Sequence, residues 1–300
     1  MTKDIICRGL LLEGSARFIA ISGAGMVAEA KNTHALSRVC TAALGRTLLC
    51  TCMMGAQMKN SSDRISTLVK GGGPAGNIVC TAWPLDGMAA VKGYIENPEL
   101  ELPLGPDGKL DVSTAVGWFG ELIVTRSLSM KEPYIGHSQM VSGEIAEDFA
   151  QYFTISEQQP SLVYLGVHVA AQDGRVLSAG GLIVQPLPGC PEEALDALQA
   201  RAEGISALSG MLETMELQDA LEKLLSGLDM TITEECRPVY CCDCSRERLE
   251  QVLISLGEEE LSDMIEKDHR AQIKCHFCNK DYVFEAEALE RLLAEAKGTE

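Results

Sequence analysis

The chain has 300 residues, of which 46% are hydrophobic and 23% are charged, so it is long enough for more than one domain and too apolar to be disordered. Its 43 acidic and 25 basic side chains give a formal net charge of -18, and residues 181–300 alone carry -15. Because nucleic-acid binding depends on Lys and Arg contacts to phosphates, this charge argues against DNA or RNA as a partner.

The N-terminal segment and the apolar runs predict where the protein resides. Residues 1–9 (MTKDIICRG) lack the basic start and apolar centre of a signal peptide. No apolar run reaches the roughly 18 to 20 residues of a membrane-spanning helix. We therefore expect a cytoplasmic protein with no membrane partner, in a compartment where structural disulfides are rare.

Residues 1–182 are expected to form an N-terminal mixed α/β core domain, in which a β-sheet packs against helices. Four apolar runs predict strands, and two stretches with helical spacing predict helices. The predicted strands are 18–22, 78–82, 122–125 and 162–169, and the predicted helices are 34–49 and 142–153. Residues 70–77 (KGGGPAGN) lack the lysine and hydroxyl spacing of a phosphate-binding loop, so they predict a tight turn.

Residues 183–232 are expected to form a helical linker. After PLPGCP, this segment is rich in Leu, Met, Ala and Glu, with apolar residues on one helical face. Gly204, Gly210 and Gly227 each cost a helix about 1 kcal/mol relative to alanine, so the helices are marginal by themselves. Two interpretations stay open, a helical hairpin docked on the core or a helix that undocks.

Residues 233–300 are expected to form a small C-terminal domain. Ser245 predicts the N-cap of a helix over 246–256, and Gly257 predicts its end. A second short helix, two strands that flank a cysteine-containing turn, and a final helix over 285–297 follow. Because the apolar content is thin, a domain this small needs support beyond its core. The predicted fold class is therefore α+β in three parts.

Six of the twelve cysteines lie within 43 residues of this last region. The other six are scattered among apolar residues, where cysteine behaves as a small buried hydrophobe. Four thiolates can surround one zinc ion, and Cys275 and Cys278 supply one CxxC pair. The second pair is ambiguous, because Cys241 with Cys244 gives CxxC whereas Cys242 with Cys244 gives CxC.

Such a site predicts sensitivity to oxidants. A zinc-bound thiolate is deprotonated, and its oxidation to a sulfenic acid or a disulfide destroys it as a ligand. Structural zinc contributes about 10 to 16 kcal/mol to small domains, so loss of the metal is expected to unfold this one. His269 and His276 are further potential ligands, and we expect neither to bind because four cysteines already fill the coordination shell.

Over nearly its whole length the sequence resembles the redox-regulated thirty-three-kilodalton heat-shock chaperones, a chaperonin family of bacterial holdases. The strongest resemblance lies in residues 239–249 (VYCCDCSRERL) and 274–279 (KCHFCN), which match the family's CxC and CxxC zinc motif. Residues 116–126 (VGWFGELIVTR) depart from the family's glycine-rich version. Further similarity lies at Gly71, Gly73 and Pro74, at Gly93 and Tyr94, and at 143–160 (GEIAEDFAQYFTISEQQP).

The resemblance implies one Zn²⁺ per chain in a reduced, inactive state. The implied ligands are Cys242, Cys244, Cys275 and Cys278. Oxidation is implied to join Cys242 to Cys244 and Cys275 to Cys278, to release the zinc, and to unfold the C-terminal domain and then the linker. Cys236 and Cys241 lie outside the family motif, and their roles stay open.

The implied function is that of an ATP-independent holdase and not of an enzyme. Two activated chains would form a homodimer, bind unfolding client proteins under oxidative stress, and pass them after reduction to ATP-dependent foldases. Adaptable Met-rich surfaces accept many partners, and acidic charge keeps exposed apolar surface soluble. The expected client-binding residues are Leu208, Met211, Leu212, Met215, Leu217, Leu221 and Leu224.

Two other classes of function fit the residues less well. A zinc ribbon that binds nucleic acid would use the CxxC pair upstream, but the acidic charge argues against it. A thiol oxidoreductase would place its CxxC at the start of a helix after a strand, whereas a short knuckle is predicted here. A hydrolase needs a nucleophile and a base, and Glu144, Glu147 and Asp148 are predicted to be a solvated helix face.

Overall fold

The computed structural model describes residues 3–106, 108–128 and 132–297. The chain divides into two compact units, one that ends at Tyr240 and one that begins at Cys241. Residues 298–300 of the predicted C-terminal domain lie outside the described residues.

The first unit contains the strands and helices predicted for the core, with shifted ends. Its strands are β1 (Ile5–Leu11), β2 (Ala16–Ser22), β3 (Arg64–Lys70), β4 (Ile78–Leu85), β5 (Met88–Ile95), β6 (Glu121–Ser127), β7 (Tyr134–Gln139), β8 (Leu162–Val169), β9 (Val176–Pro186) and β10 (Thr231–Tyr240). Its helices are α1 (Ala24–His34), α2 (Arg38–Gly55), α3 (Val112–Val116), α4 (Ala146–Ile155), α5 (Glu192–Gln199), α6 (Ala202–Ile205), α7 (Leu208–Met211) and α8 (Leu217–Leu224). The four predicted strands are confirmed as β2, β4, β6 and β8. The helix predicted from residue 34 begins later, because the Ser37 hydroxyl caps α2 by accepting the Cys40 N–H.

One ten-stranded sheet runs through the first unit in the order β7-β6-β3-β4-β5-β10-β1-β2-β9-β8. Strand β10 joins the two halves of this sheet. Its residues 231–236 pair antiparallel with β1, and its residues 237–240 pair in parallel with β5. The boundary expected at residue 233 therefore falls inside a strand of the first unit. The three-part division of the chain stays a prediction.

Helix α2 lies at the centre of the main core. Sixteen of its 18 residues are buried, as expected for a helix enclosed by other elements. Its buried Thr47 and Thr51 hydroxyls donate to the carbonyls one turn earlier, which satisfies them without water. Ile6 of β1 points into this core, together with residues of α1 and α4.

A second core covers the opposite face of β1, β2 and β9. Side chains alternate between the faces of a strand, so Cys7 points away from Ile6 and into this second core. There Phe18 and Leu182 of the sheet pack against leucines of α7 and α8. The linker is therefore docked in this structure, in four short helices instead of two longer ones.

The prediction that Asp148 lies on a solvated helix face is wrong. This residue is 1% exposed, and its carboxylate accepts three backbone N–H groups just ahead of and at the start of α4, at 2.8 to 3.1 Å. Burial is tolerated because all of these donors would otherwise be unpaired. Asp148 is thus a capping residue.

The second unit is small and follows the predicted order of elements. It contains α9 (Arg246–Leu256), α10 (Glu258–Asp263), a π-helical turn (Met264–Asp268), β11 (Arg270–Lys274), β12 (Asp281–Glu285) and α11 (Ala286–Lys297). Ser245 caps α9 by accepting the Arg248 N–H at 3.2 Å, and Gly257, with φ 97°, ends the helix. The core of this unit consists of few side chains, chiefly Leu253, Leu261, Phe284, Leu289 and Leu292.

Candidate metal centre

Four cysteine sulfurs of the second unit lie together, those of Cys242, Cys244, Cys275 and Cys278, all within 4.8 Å of one another. The Sγ atoms of Cys242 and Cys275 are 3.7 Å apart, and those of Cys244 and Cys278 are 3.4 Å apart. Zn–S bonds of about 2.3 Å in a tetrahedron place sulfurs about 3.8 Å apart, whereas a disulfide bond is about 2.05 Å long. The spacing therefore fits four thiolates around one metal ion.

The upstream pair comes from an irregular segment between β10 and α9. Cys242 and Cys244 share the group, while Cys241, the alternative partner, is not part of it. Asp243 instead pairs with Arg248 at 2.7 Å.

The downstream pair lies in the turn between β11 and β12. The Cys275 N–H donates to the Lys280 carbonyl at 2.9 Å, and the Asn279 N–H donates to the Cys275 carbonyl at 2.8 Å. Asn279 adopts a positive φ of 58°, which asparagine tolerates better than most residues. These bonds close a tight knuckle that directs Cys275 and Cys278 to the same point.

The group contains one thiol that ionises readily. The Tyr282 hydroxyl lies 3.2 Å from the Cys244 Sγ. Burial raises the pKa of Cys244, but hydrogen bonds with Tyr282 and the neighbouring thiols outweigh it and lower that pKa to about 7. Burial raises the pKa of Cys278, and its bonds with Cys244 and Cys275 add to the effect. A low-pKa thiolate is a good metal ligand and a good nucleophile toward oxidants.

Arg246 connects the surrounding elements to one another. Its guanidinium lies over the Phe284 ring at 4.3 Å and donates to the Val283 carbonyl at 2.9 Å. Glu250 of α9 pairs with Arg291 of α11 at 2.8 Å. Sequence reasoning did not single out Arg246 or Tyr282 as site residues, although the alternation of Tyr282 and Phe284 in β12 marks an inward face.

Residues 4–285 match a family model described as Hsp33 protein. The chain belongs to the Hsp33 family. A 33 kDa chaperonin of Clostridioides difficile is 40% identical over 98% of this chain and 99% of its own length, and one of Alkaliphilus metalliredigens is 43% identical over 97% and 98%. A crystal structure of a 33 kDa chaperonin from Thermotoga maritima aligns with a TM-score of 0.86 at 34% identity, covering 99% of both chains.

Family membership confirms the resemblance based on the CxC and CxxC motif and makes this chain a redox-regulated chaperone. The curated Hsp33 relatives are named chaperonins and not enzymes. In the part of the chain that the structure describes, no helix combines the length and the apolar character needed to cross a membrane.

The remaining cysteines of this Hsp33 family member lie apart from the four-sulfur group. Cys7, Cys40, Cys50, Cys52 and Cys80 are buried, as expected, whereas Cys190 is half-buried. Burial raises the pKa of Cys7 to about 12, which makes its thiol unreactive near neutral pH.

Cys236 and the two histidines also lie outside the group. Cys236 is half-buried on β10 beside Ile6, where burial raises its pKa. The Nδ1 of His269 forms a hydrogen bond with the Ile265 carbonyl at 2.8 Å.

The predicted client-binding residues are covered in this structure. Leu208, Leu212, Leu217 and Leu221 are buried in the second core. Met211, Met215 and Leu224 are half-buried against it. Most of the apolar stripe is therefore covered in this structure.

Proposed function

We propose that this chain is an ATP-independent holdase whose Cys242, Cys244, Cys275 and Cys278 bind one Zn²⁺ in the reduced state. The observation that carries the proposal is the spacing of the four sulfurs, which suits a tetrahedral thiolate site. None of the twelve cysteines, all of which lie in the described part of the chain, forms a disulfide. This fits a reducing compartment, and we place the action of the chain in the cytoplasm.

Bound zinc would hold the four sulfurs in place as thiolates and supply stability that the small core lacks. Under oxidation, Cys242 and Cys244 form one disulfide, and Cys275 and Cys278 form the other. In each case two thiolates give two electrons to one molecule of hypochlorous acid, which takes up a proton and leaves as chloride and water. The four-sulfur group then has no thiolates left with which to bind the metal.

Loss of the ligands unfolds the second unit. Zinc binding contributes about 10 to 16 kcal/mol to the stability of a small domain, which exceeds the folding free energy that a core of this size supplies. The linker then leaves the sheet and exposes its leucines and methionines. Client proteins bind this apolar stripe, two activated chains associate, and ATP-dependent foldases receive the clients after reduction. The net charge of -18 keeps the exposed form in solution.

The test is to treat the reduced protein with hypochlorite and to measure bound zinc, free thiols and the aggregation of a thermally unfolded client. We expect one zinc and about four thiols per chain to be lost as aggregation is suppressed, with full reversal by dithiothreitol. Cys190→Ser, which changes a cysteine far along the chain from the group, serves as the matched control and should behave like wild type. An oxidised protein that protects no client would overturn the proposal.

A further inference from the structure

A network of polar side chains ties the linker to the sheet at α7. We call it the polar latch, and it consists of Tyr164, His168, Ser178, Ser209 and Glu213. His168 Nδ1 is 2.6 Å from the Glu213 carboxylate, and His168 Nε2 is 3.1 Å from the Ser209 hydroxyl. Tyr164 Oη lies 2.6 Å from that same hydroxyl, and the Ser178 hydroxyl donates to the Ser209 carbonyl at 2.6 Å.

The latch is built around a serine that the docked linker buries. Ser209 is 2% exposed and Ser178 is fully buried, so each needs its partner to offset the loss of water. Gly166 of β8 makes the approach possible, because a Cβ there would lie 2.6 Å from the Ser209 Oγ and 2.8 Å from its Cβ. These contacts fix one position of α7 on the sheet, which the non-directional leucine contacts of the second core do not.

Glu213, His168 and Ser209 are connected in the order of a serine hydrolase triad. Their surroundings, however, favour a structural role over a catalytic one. The Ser209 N–H points to Tyr164 Oη at 3.4 Å instead of toward an oxyanion site. The Tyr164 hydroxyl also occupies the space next to the Ser209 Oγ. The network therefore binds two parts of the same chain to each other.

We propose that the polar latch holds the linker docked independently of the metal centre and so sets how readily the linker opens. All five latch residues belong to the first unit, whereas the four-sulfur group belongs to the second. Weakening the latch should release α7 while zinc is still bound. The proposal rests on the proposed function only for its last step, in which an open linker binds clients.

Three variants weaken the latch in different ways. Ser209→Ala removes the central hydroxyl, Glu213→Gln removes the charge at nearly constant shape, and Gly166→Ala inserts a methyl group between β8 and α7. Ser206→Ala is the matched control for the first variant, because the Ser206 hydroxyl donates to the Glu203 backbone carbonyl within the linker. Glu203→Gln is the matched control for the second, because Glu203 is an exposed residue of the linker. Gly204→Ala is the control for the third, because its added Cβ meets open space.

The measurement is amide hydrogen exchange of residues 208–215 in the reduced, zinc-loaded full chain, with zinc content checked in every sample. Loss of one hydrogen bond to a charged or buried partner should raise the exchange rate about tenfold. None of the three controls should exchange faster than wild type. The latch variants should also suppress client aggregation without oxidant. Glu213→Gln changes a half-exposed side chain, so it tests the latch even if Ser209→Ala fails to fold.

Two outcomes separate this proposal from the proposed function. The latch proposal would be overturned if amide hydrogen exchange of residues 208–215 were unchanged in all three latch variants, with zinc bound and the fold intact. Faster exchange without client protection would support the latch and show that an open linker is not sufficient for client binding.

Discussion

Cys241 and Cys242 are adjacent cysteines that the structure separates by role. The segment that carries them is irregular and lies between β10 and α9. Cys242 joins Cys244 in the four-sulfur group, and Cys241 does not.

We expect Cys242→Ser to lose tight zinc and Cys241→Ser to keep it. A hydroxyl is a much poorer zinc ligand than a thiolate, and since even outer-shell changes cost 10- to 100-fold in affinity, Cys242→Ser should cost more than about a hundredfold. Competition with a coloured chelator measures both variants against wild type. If Cys241→Ser were the variant that released zinc, the site would use the CxxC pair.

Spacing alone predicted the composition of the site but left this choice open, because CxC and CxxC both supply two thiolates. The family resemblance selected CxC, and the structure brings those four sulfurs together. Tyr282 was not predicted as a neighbour of Cys244, since a tyrosine in a short strand carries no signal for a metal site. Asp148 was misassigned because its backbone donors become visible only once the turn before α4 is formed.

The linker and β10 show what can be predicted at the level of whole elements. The Leu and Met periodicity correctly predicted helices with one apolar face. Gly204 and Gly210, which weaken a helix, lie inside the four-residue helices α6 and α7. The surface that covers this face was not predictable, because Cys7 and Phe18 come from strands distant in the chain. Residues 233–240 of β10 were expected in the C-terminal domain, because the partner strand β1 lies at the opposite end of the first unit's sequence and no local pattern indicates that pairing.

Leu221→Ser should open the linker without oxidant. Leu221 is fully buried in the second core, and truncation of a buried leucine costs about 2 to 5 kcal/mol. We expect faster hydrogen exchange in α8 and suppression of client aggregation by the reduced, zinc-bound protein. Leu195→Ser is the control, because Leu195 of α5 is 40% exposed, and it should change neither hydrogen exchange in α8 nor client aggregation. Equal effects of the two variants would show that the second core does not hold α8.

At the scale of the whole molecule, charge and apolar surface are divided unequally along the chain. Residues 181–300, which contain the linker and the second unit, carry net -15 of the total -18. The segments proposed to open are therefore also the most acidic ones, and mutual repulsion opposes the association of their exposed apolar side chains.

This charge predicts that salt promotes the assembly of the oxidised form and not that of the reduced form. Raising NaCl from about 0.05 to 0.5 M shortens the screening length to well below about 10 Å, so oxidised protein without client should assemble beyond the dimer. Light scattering should then rise for the oxidised sample and stay level for the reduced one. If the light scattering of the oxidised form did not change with NaCl, charge would not limit its assembly.

The position of β10 between β5 and β1 also determines when the first unit can finish folding. Strand β1 is synthesised well before β10, so one of its edges stays without its partner until residues 231–236 have been synthesised. At about 5 to 20 residues per second, that interval lasts on the order of ten to forty seconds. During this time the nascent chain presents an open sheet edge, so a protein of this chaperone family itself passes through a stage at which it is prone to aggregate.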